Sequence, residues 1–310
     1  MAIPEARTPG QALTPGGPAA EAKGRARKIQ MSPAKRTLIY VVLIATSLVM
    51  IVPFYWTFAT SFKPAGDVFA SPPKWIPNPW TLENYRDVFT LLNFGRYFMN
   101  SVIVTAMIVG LNIVFDTAAA YAFAKLRFPG RNFLFFMLLV TLMVPFQANM
   151  IPLYRIMVGL HKAVPALGVD TYSAMILPGM IQVFGIFLMR QFLRSIPNEI
   201  LENARVDGAS EWRILRSIVF PLATPGMATL AIFTFIAAWN DFLWPLIVTS
   251  SDDMRTLPVG LALLARKNTV NWGQTMAGTV LAAGPMIAVF LVLQRRFIEG
   301  LTAGAVKDVG

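Results

Sequence analysis

The chain of 310 residues has no cysteine, one histidine and few charges. Without cysteine it can form no disulfide, no thiolate nucleophile and no sulfur-ligated metal site. His161 alone cannot supply a histidine cluster for a metal, or a Ser/His/Asp constellation within a membrane bundle. It reads as a solvated loop residue. No G-x-x-x-x-G-K-[ST] run is present, so the chain does not hold ATP in the P-loop manner, and no H-E-x-x-H is present. These absences argue against an enzyme and against any cofactor or metal bound by this chain. Charge is scarce as well, at 14% of residues, against about a quarter in soluble domains.

What is there is apolar. Hydrophobic residues make up 55% of the chain and the mean hydropathy is +0.57. The charges cluster between long uncharged stretches, as in a polytopic membrane protein. The net charge of +11 then reads as basic residues kept in cytoplasmic loops, not as a nucleic-acid surface.

Residues 1–36 are rich in Pro, Gly and Ala and end in Lys23, Arg25, Arg27, Lys28, Lys35 and Arg36. Such a composition cannot bury apolar surface, and a disordered cytoplasmic tail is expected. A cleavable signal peptide is not: the apolar run that follows is long enough to span and has no small-residue cleavage site behind it. A permease domain over 37–298 and a cytoplasmic C-terminal tail over 299–310 complete the expected organisation.

Six stretches approach the roughly 20 apolar residues that cross a bilayer: about 37–58, 101–123, 133–157, 172–193, 226–248 and 276–293. The expected fold is therefore all-α with six transmembrane helices. Basic residues gather in alternate connections: Lys125, Arg127 and Arg131, then Arg190, Arg194, Arg205, Arg213 and Arg216, then Arg295, Arg296 and Lys307. With the basic N-terminus they fall on one side, which places both termini in the cytoplasm. Of the opposite-side loops, Ser61–Asn100 is stiff and proline-rich before turning amphipathic. Thr81 and Asn84 mark the start of a short helix there, with Tyr85, Val88 and Phe89 expected on the membrane surface. Thr249–Thr275 reads equally as a connector or as a loop that meets an external partner.

The most informative segment is SIPNEILENARVDGASEWRILRSIVFPLATPG, from Ser195. Pro197 suits the first turn of a helix, and Glu199 and Glu202 complement its positive end. Gly208 permits a sharp turn. A second amphipathic helix follows, with Trp212, Leu215, Ile218 and Val219 as its apolar stripe, ended by Pro221 and Pro225. Both helices, together 197–220, are too short to be stable alone and need a partner surface.

This hairpin resembles the cytoplasmic signature of the membrane subunits of binding-protein-dependent ABC importers. That signature is E-A-A, three residues, G, nine residues, I-x-L-P. Here Glu202, Asn203 and Ala204 are followed after three residues by Gly208 and after nine more by Ile218, Val219, Phe220 and Pro221. Asn203 and Phe220 depart from the pattern mildly. Asp207 and Ala209 fit its common D-G-A form. YAFAKLRFPGR (Tyr121–Arg131), AWNDFLWPLIV (Ala238–Val248) and GLTAGAVK (Gly300–Lys307) are similar to the carbohydrate branch, in particular to the second membrane subunit of maltose-type importers.

The resemblance covers roughly 37–307. It implies a type I ABC importer permease in the inner membrane, working with a second, homologous permease subunit, an ATPase dimer that carries ATP and Mg, and an extracytoplasmic solute-binding protein. It implies that Glu202, Asn203, Ala204, Asp207, Gly208, Ile218 and Pro221 couple to the ATPase mechanically. It also implies that Thr302, Gly304 and Lys307 reach the ATPase interface, and that the loop around Arg255–Leu264 meets the binding protein.

Polar groups inside the spans give candidates for a solute path. Asp116 is costly at mid-bilayer and suits either a structural hydrogen bond or the path. Trp239, Asn240, Asp241 and Trp244 combine aromatic faces and polar groups, as sugar binding or an interfacial belt would. Gln147 and Asn149 beside Pro145 mark an irregular point in the third span, a candidate part of a gate. The expected solute is a di- or oligosaccharide, with a polyol or glycerophosphoester as the alternative. A stand-alone secondary transporter would need paired interrupted helices and charges in both halves, and it leaves the hairpin unexplained.

Overall fold

The computed structural model describes residues 32–264 and 271–305, with side chains for 32–263 and 271–294. Residues 1–31 of the tail expected over 1–36, the side chains of Thr302 and Gly304, and Lys307 lie outside the described residues, whereas residues 33–36 of that tail already belong to a helix. Among those described, every regular element is a helix and none is a strand. It divides into two compact units, Met1–Val52 and Pro53–Gly310.

The described part of the first unit is the leading stretch of α1 (Pro33–Ser61). Its apolar side chains are exposed from Leu38 to Val52. A helix that is apolar all round needs lipid or another apolar surface.

The second unit opens with the end of α1 and continues through α2 (Glu83–Leu91), α3 (Phe94–Lys125), α4 (Arg131–Thr141) and α5 (Phe146–Ala163). Next come α6 (Tyr172–Ile176), α7 (Val183–Arg194), α8 (Asn198–Val206) and α9 (Glu211–Leu222). The last elements are α10 (Thr224–Trp239), α11 (Leu243–Val248), α12 (Leu257–Leu264) and α13 (Trp272–Ala305).

Helix α3 is the axis of this unit, and three cores lie along it. At its C-terminal end Ala120 and Tyr121 pack with Met189, Leu193, Leu201, Ile214 and Val219. Midway, Val104 and Ile108 meet Met157, Met175, Trp244 and Val248. At its start Phe94 and Tyr97 join Val88, Trp239, Leu257 and Ala277. A helix of 32 residues is about 48 Å long at 1.5 Å per residue, so the first and last cores sit at opposite ends of a membrane-scale rod.

Four segments are long and apolar enough to cross a membrane: Pro33–Ser61, Phe94–Lys125, Pro165–Arg194 and Trp272–Gln294. Two further runs are bent pairs. The expected single helix over 133–157 is broken at Leu142–Pro145, and α4 and α5 meet at 97°. Pro145 has no N–H for a helical bond and its ring disfavours helix at the preceding residue. The expected span over 226–248 also stops early, at Trp239, with α11 following a break at Asn240–Phe242. There the Ile236 carbonyl accepts both the Asn240 backbone N–H at 3.3 Å and Asn240 Nδ2 at 2.7 Å, and the next N–H, of Asp241, turns to the Ala238 carbonyl at 3.4 Å.

Two smaller expectations are corrected. Helix α2 packs into the bundle instead of lying on the membrane: Val88 is fully buried, and Asn84 donates to the carbonyls of Ser61 and Lys63 at 2.9 and 2.8 Å. Only Phe89 of the three expected surface residues is exposed. His161 lies in the last turn of α5, half-buried against Gly168, where a Cβ would sit 2.1 Å from its own.

Candidate functional site

The hairpin forms as two arms around Gly208. Helix α8 ends at Asp207, and Gly208 takes φ +79°, a left-handed conformation that costs an L-residue roughly 1–2 kcal/mol. Ser210 then caps α9 by accepting the Arg213 N–H. Residues Leu215–Val219 form one wide, π-type turn just before Pro221. Such a turn accommodates a proline that cannot donate to the preceding turn. Helix α9 meets α10 at 77°, so the arms of the hairpin lie outside the span that α10 begins.

One face of the hairpin is locked to the bundle. Leu201, Ile214, Leu215 and Val219 are buried against the end of α3 and against α7. Tyr121 donates from its hydroxyl to Glu211, which also accepts from Arg205 Nε at 2.7 Å. The Arg205 hydrogen bond, helped by Tyr121, outweighs partial burial and holds the Glu211 carboxyl below its ordinary pKa. Lys125 Nζ bonds the Ile196 carbonyl at 2.6 Å and Asn198 at 2.7 Å, fastening the start of α8 to the end of α3.

The other face is open. Glu202, Asn203, Asp207, Gly208 and Pro221 are exposed, while Ala204 and Ile218 are half-buried. Two apolar side chains stand out among them, Val206 at 87% and Trp212 at 69% exposure. Trp212 therefore does not belong to the inward stripe expected for α9; Ile214 takes the inward place beside Leu215 and Val219. Val206 carried no such signal in the sequence.

The path candidates separate. Asp116 is wholly buried, and its Oδ1 accepts the Gln182 N–H at 3.0 Å. One turn earlier, Asn112 Nδ2 donates to the Gly179 carbonyl at 2.7 Å. Gly179 and Gln182 flank the break between α6 and α7. The two α3 side chains thus take up backbone groups that a broken helix leaves without partners. Trp239 is buried between Phe98 and Phe235 and donates to the Ala282 carbonyl at 3.1 Å. Asn240 is exposed and bonds its own helix.

Asp241 and Trp244 of the candidates line one cavity together. The space is about 420 Å³, bounded by Phe146, Met175, Pro178, Gln182, Asp241 and Trp244 among others. Trp244 is held there by Nε1 donating to the Ala174 carbonyl at 2.9 Å, and by Phe146, edge-on with ring centroids 6.0 Å apart. Phe146 is the first residue of α5, so the break in that span helps shape the cavity. Gln147 and Asn149 stay exposed. Gln182 and Met175 carried no sequence signal of their own.

At the far end of α3, the segment after α11 is pinned. Tyr97 donates to Asp252 at 2.7 Å, and Asn100 Nδ2 donates to the carbonyls of Asp253 and Arg255 at 2.7 and 2.8 Å. This part of the long connection is ordered by α3 and is not a slack tether.

Helices that expose apolar surface, with a polar hairpin locked at one end and a cavity at the breaks, define a multi-pass membrane protein of the permease class. Residues 116–302 match the family described as binding-protein-dependent transport system inner membrane component, and the chain belongs to that family. It is 36% identical over 283 residues to the arabinooligosaccharides transport system permease protein of Halalkalibacterium halodurans, covering 90% of this chain and 99% of the relative. It is 32% identical over 282 residues to the sn-glycerol-3-phosphate transport system permease protein of Brucella abortus, covering 88% and 98%. A chain in the crystal structure of a bacterial ABC transporter for import of the acidic polysaccharide alginate superposes with a TM-score of 0.73 at 26% identity, covering 86% and 99%.

Proposed function

We propose that this chain is a permease subunit of an ATP-driven, binding-protein-dependent importer of a di- or oligosaccharide, and that its hairpin docks on the ATPase. The observation that carries this is the two-faced hairpin: Leu201, Ile214 and Val219 locked inward, Val206 and Trp212 exposed beside Glu202, Asp207 and Gly208. A rigid element transmits displacement, and exposed apolar groups on a polar turn suit a partner's cleft.

ATP and Mg belong to the ATPase subunits in this reading, and a second permease subunit and a solute-binding protein complete the complex. Counting each bent pair as one span gives six, which supports both termini in the cytoplasm. The C-terminal segment with Thr302, Gly304 and Lys307 would meet the ATPase interface. The saccharide reading rests on the relatives that carry arabinooligosaccharides and alginate. The glycerol-3-phosphate relative supports a second reading, a glycerophosphoester or related polyol.

The test is co-expression of the whole transporter with Val206→Asp and Trp212→Ala in this chain. The ATPase subunit should no longer co-purify, while the permease keeps its thermal midpoint. Retention of the ATPase together with solute-stimulated hydrolysis would refute the docking role.

A further inference from the structure

We propose that the arginines between α4 and α7 form a binding site for the phosphate of an anionic glycerophospholipid. Arg131, Arg190 and Arg194 line a cavity of about 350 Å³ with Phe123, Asn132 and Phe135, and no carboxylate lines it. A second space of about 410 Å³ shares Arg131 and Asn132, adds Arg127 and Phe133, and again has no acidic lining. Among the described residues none of these four arginines forms an ion pair.

Two of the guanidinium groups are held in place. Arg190 lies 4.0 Å over the Phe135 ring, and its Nε donates to the Phe123 carbonyl at 3.2 Å. Arg131 donates one N–H to the Leu126 carbonyl at 2.9 Å. Each guanidinium carries five N–H donors, so both keep donors for a ligand. Arg194 is exposed, one turn from Arg190. The preference for basic residues on the cytoplasmic side explains their presence in these segments. It does not explain three of them gathered on one cavity without a counter-ion, an arrangement that suits a phosphate oxygen cluster.

The apolar surroundings select a lipid over free phosphate. Arg131 opens a membrane-spanning run in which Phe133, Leu134 and Phe136 are 65%, 48% and 59% exposed. Acyl chains can lie along them while the headgroup reaches the arginines. The neighbouring larger cavity holds Glu202 and Glu211 as well as basic groups and offers no such selectivity.

The test is native mass spectrometry of the full chain in detergent with equimolar phosphatidylglycerol and phosphatidylcholine. The wild type should retain phosphatidylglycerol preferentially. Arg194→Gln should weaken that retention about fivefold, the effect of one basic group worth roughly 1 kcal/mol near an anionic lipid surface. Phosphatidylcholine retention should not change. Arg131→Gln gives a second reading if Arg194→Gln does not yield a monodisperse protein. Equal retention of both lipids by the wild type, or wild-type preference in both variants, overturns the proposal. So does displacement of the lipid by millimolar inorganic phosphate, which would mark a soluble-anion site.

Discussion

Asp116 Oδ1 and the Gln182 N–H are hydrogen-bonded at 3.0 Å, joining the middle of α3 to the start of α7. The carboxylate acts as the cap that α7 does not supply from its own chain, since Gln182 makes no side-chain cap. Asp116→Ala should therefore behave as a packing mutation. It leaves a buried N–H without a partner, at a cost of about 1–3 kcal/mol. Asp116→Asn keeps a carbonyl acceptor and should recover most of the loss. Thermal unfolding of the detergent-solubilised chain separates the roles: a path residue would change uptake in the Ala variant without moving the midpoint.

Gly185 makes the same contact testable from the other helix. A Cβ there would sit 2.0 Å from Asp116 Oδ2 and 3.0 Å from Leu230. Gly185→Ala should push α7 off α3 and lower stability at least as much as Asp116→Ala. In the double variant Asp116→Ala/Gly185→Ala the clash with the carboxylate is gone, so the two losses should fall short of additive. Strict additivity would contradict the direct contact.

Much of this architecture is legible in the sequence, for separable reasons. The spans show because a bilayer demands long apolar runs, and the hairpin shows because Glu202, Gly208 and Pro221 stand at a defined spacing. The breaks are less legible. Pro145 signals one, but the stop at Trp239, where the Asp241 N–H turns from the helical pattern to the Ala238 carbonyl, has no local pattern that announces it. The direction of polar side chains is hidden too. Asp116, Trp239 and Asp241 look alike as polar or aromatic groups in a span, yet only Asp241 reaches the cavity. That outcome is decided by where α6, α7 and α10 cross α3, a tertiary fact. The inward face of α9 is legible at Leu215 and Val219 but not at Trp212, whose inward place Ile214 takes.

Asp241 and Asn240, adjacent in sequence, should differ in function. Asp241 lines the cavity and its carboxylate accepts the Trp244 N–H at 3.4 Å. Asn240 is exposed and serves its own helix. Asp241→Ala should raise the KM for solute uptake or abolish uptake, whereas Asn240→Ala should leave KM within about twofold, as expected when no solute contact worth even 0.5 kcal/mol is lost. Uptake assays in reconstituted vesicles with the complete transporter provide the comparison. A larger effect at Asn240 than at Asp241 would remove this cavity from the path.

Gly208 isolates the turn from its surroundings. An added Cβ there would meet nothing within 4 Å, so only the backbone conformation resists substitution. Gly208→Ala should cost about 1–2 kcal/mol and loosen the turn without displacing the bundle. Hydrogen exchange should accelerate over 198–222 and stay unchanged in α3. Gly208→Pro, which cannot adopt a positive φ, should go further and uncouple ATP hydrolysis from uptake. Uptake unchanged in the proline variant would mean that the turn carries no mechanical load.

The last prediction concerns acid. Glu211 is held below its ordinary pKa of 4.5, first by Arg205, with Tyr121 adding a second hydrogen bond. A carboxyl with a depressed folded pKa stabilises the hairpin fully above the unfolded value, and loses that contribution as pH falls from there through the folded value. The anchoring of α9 to α3 should therefore weaken only below about pH 4.5. Pepsin is active in that range, and its cleavage within 198–222 should rise as the pH is lowered. Tyr121→Phe removes one donor to a charged acceptor, worth about 1.5–3 kcal/mol when buried and less at this half-exposed site. It should raise cleavage above pH 4.5 and shrink the further rise on acidification, because the folded pKa of Glu211 relaxes upward toward the unfolded value and the window between them narrows. Glu211→Gln should abolish the pH dependence and leave cleavage at one level across the window. If that variant still shows the acid-dependent rise, another carboxyl controls the hairpin, and Glu202, which lines the same cavity as Glu211, is the next to replace.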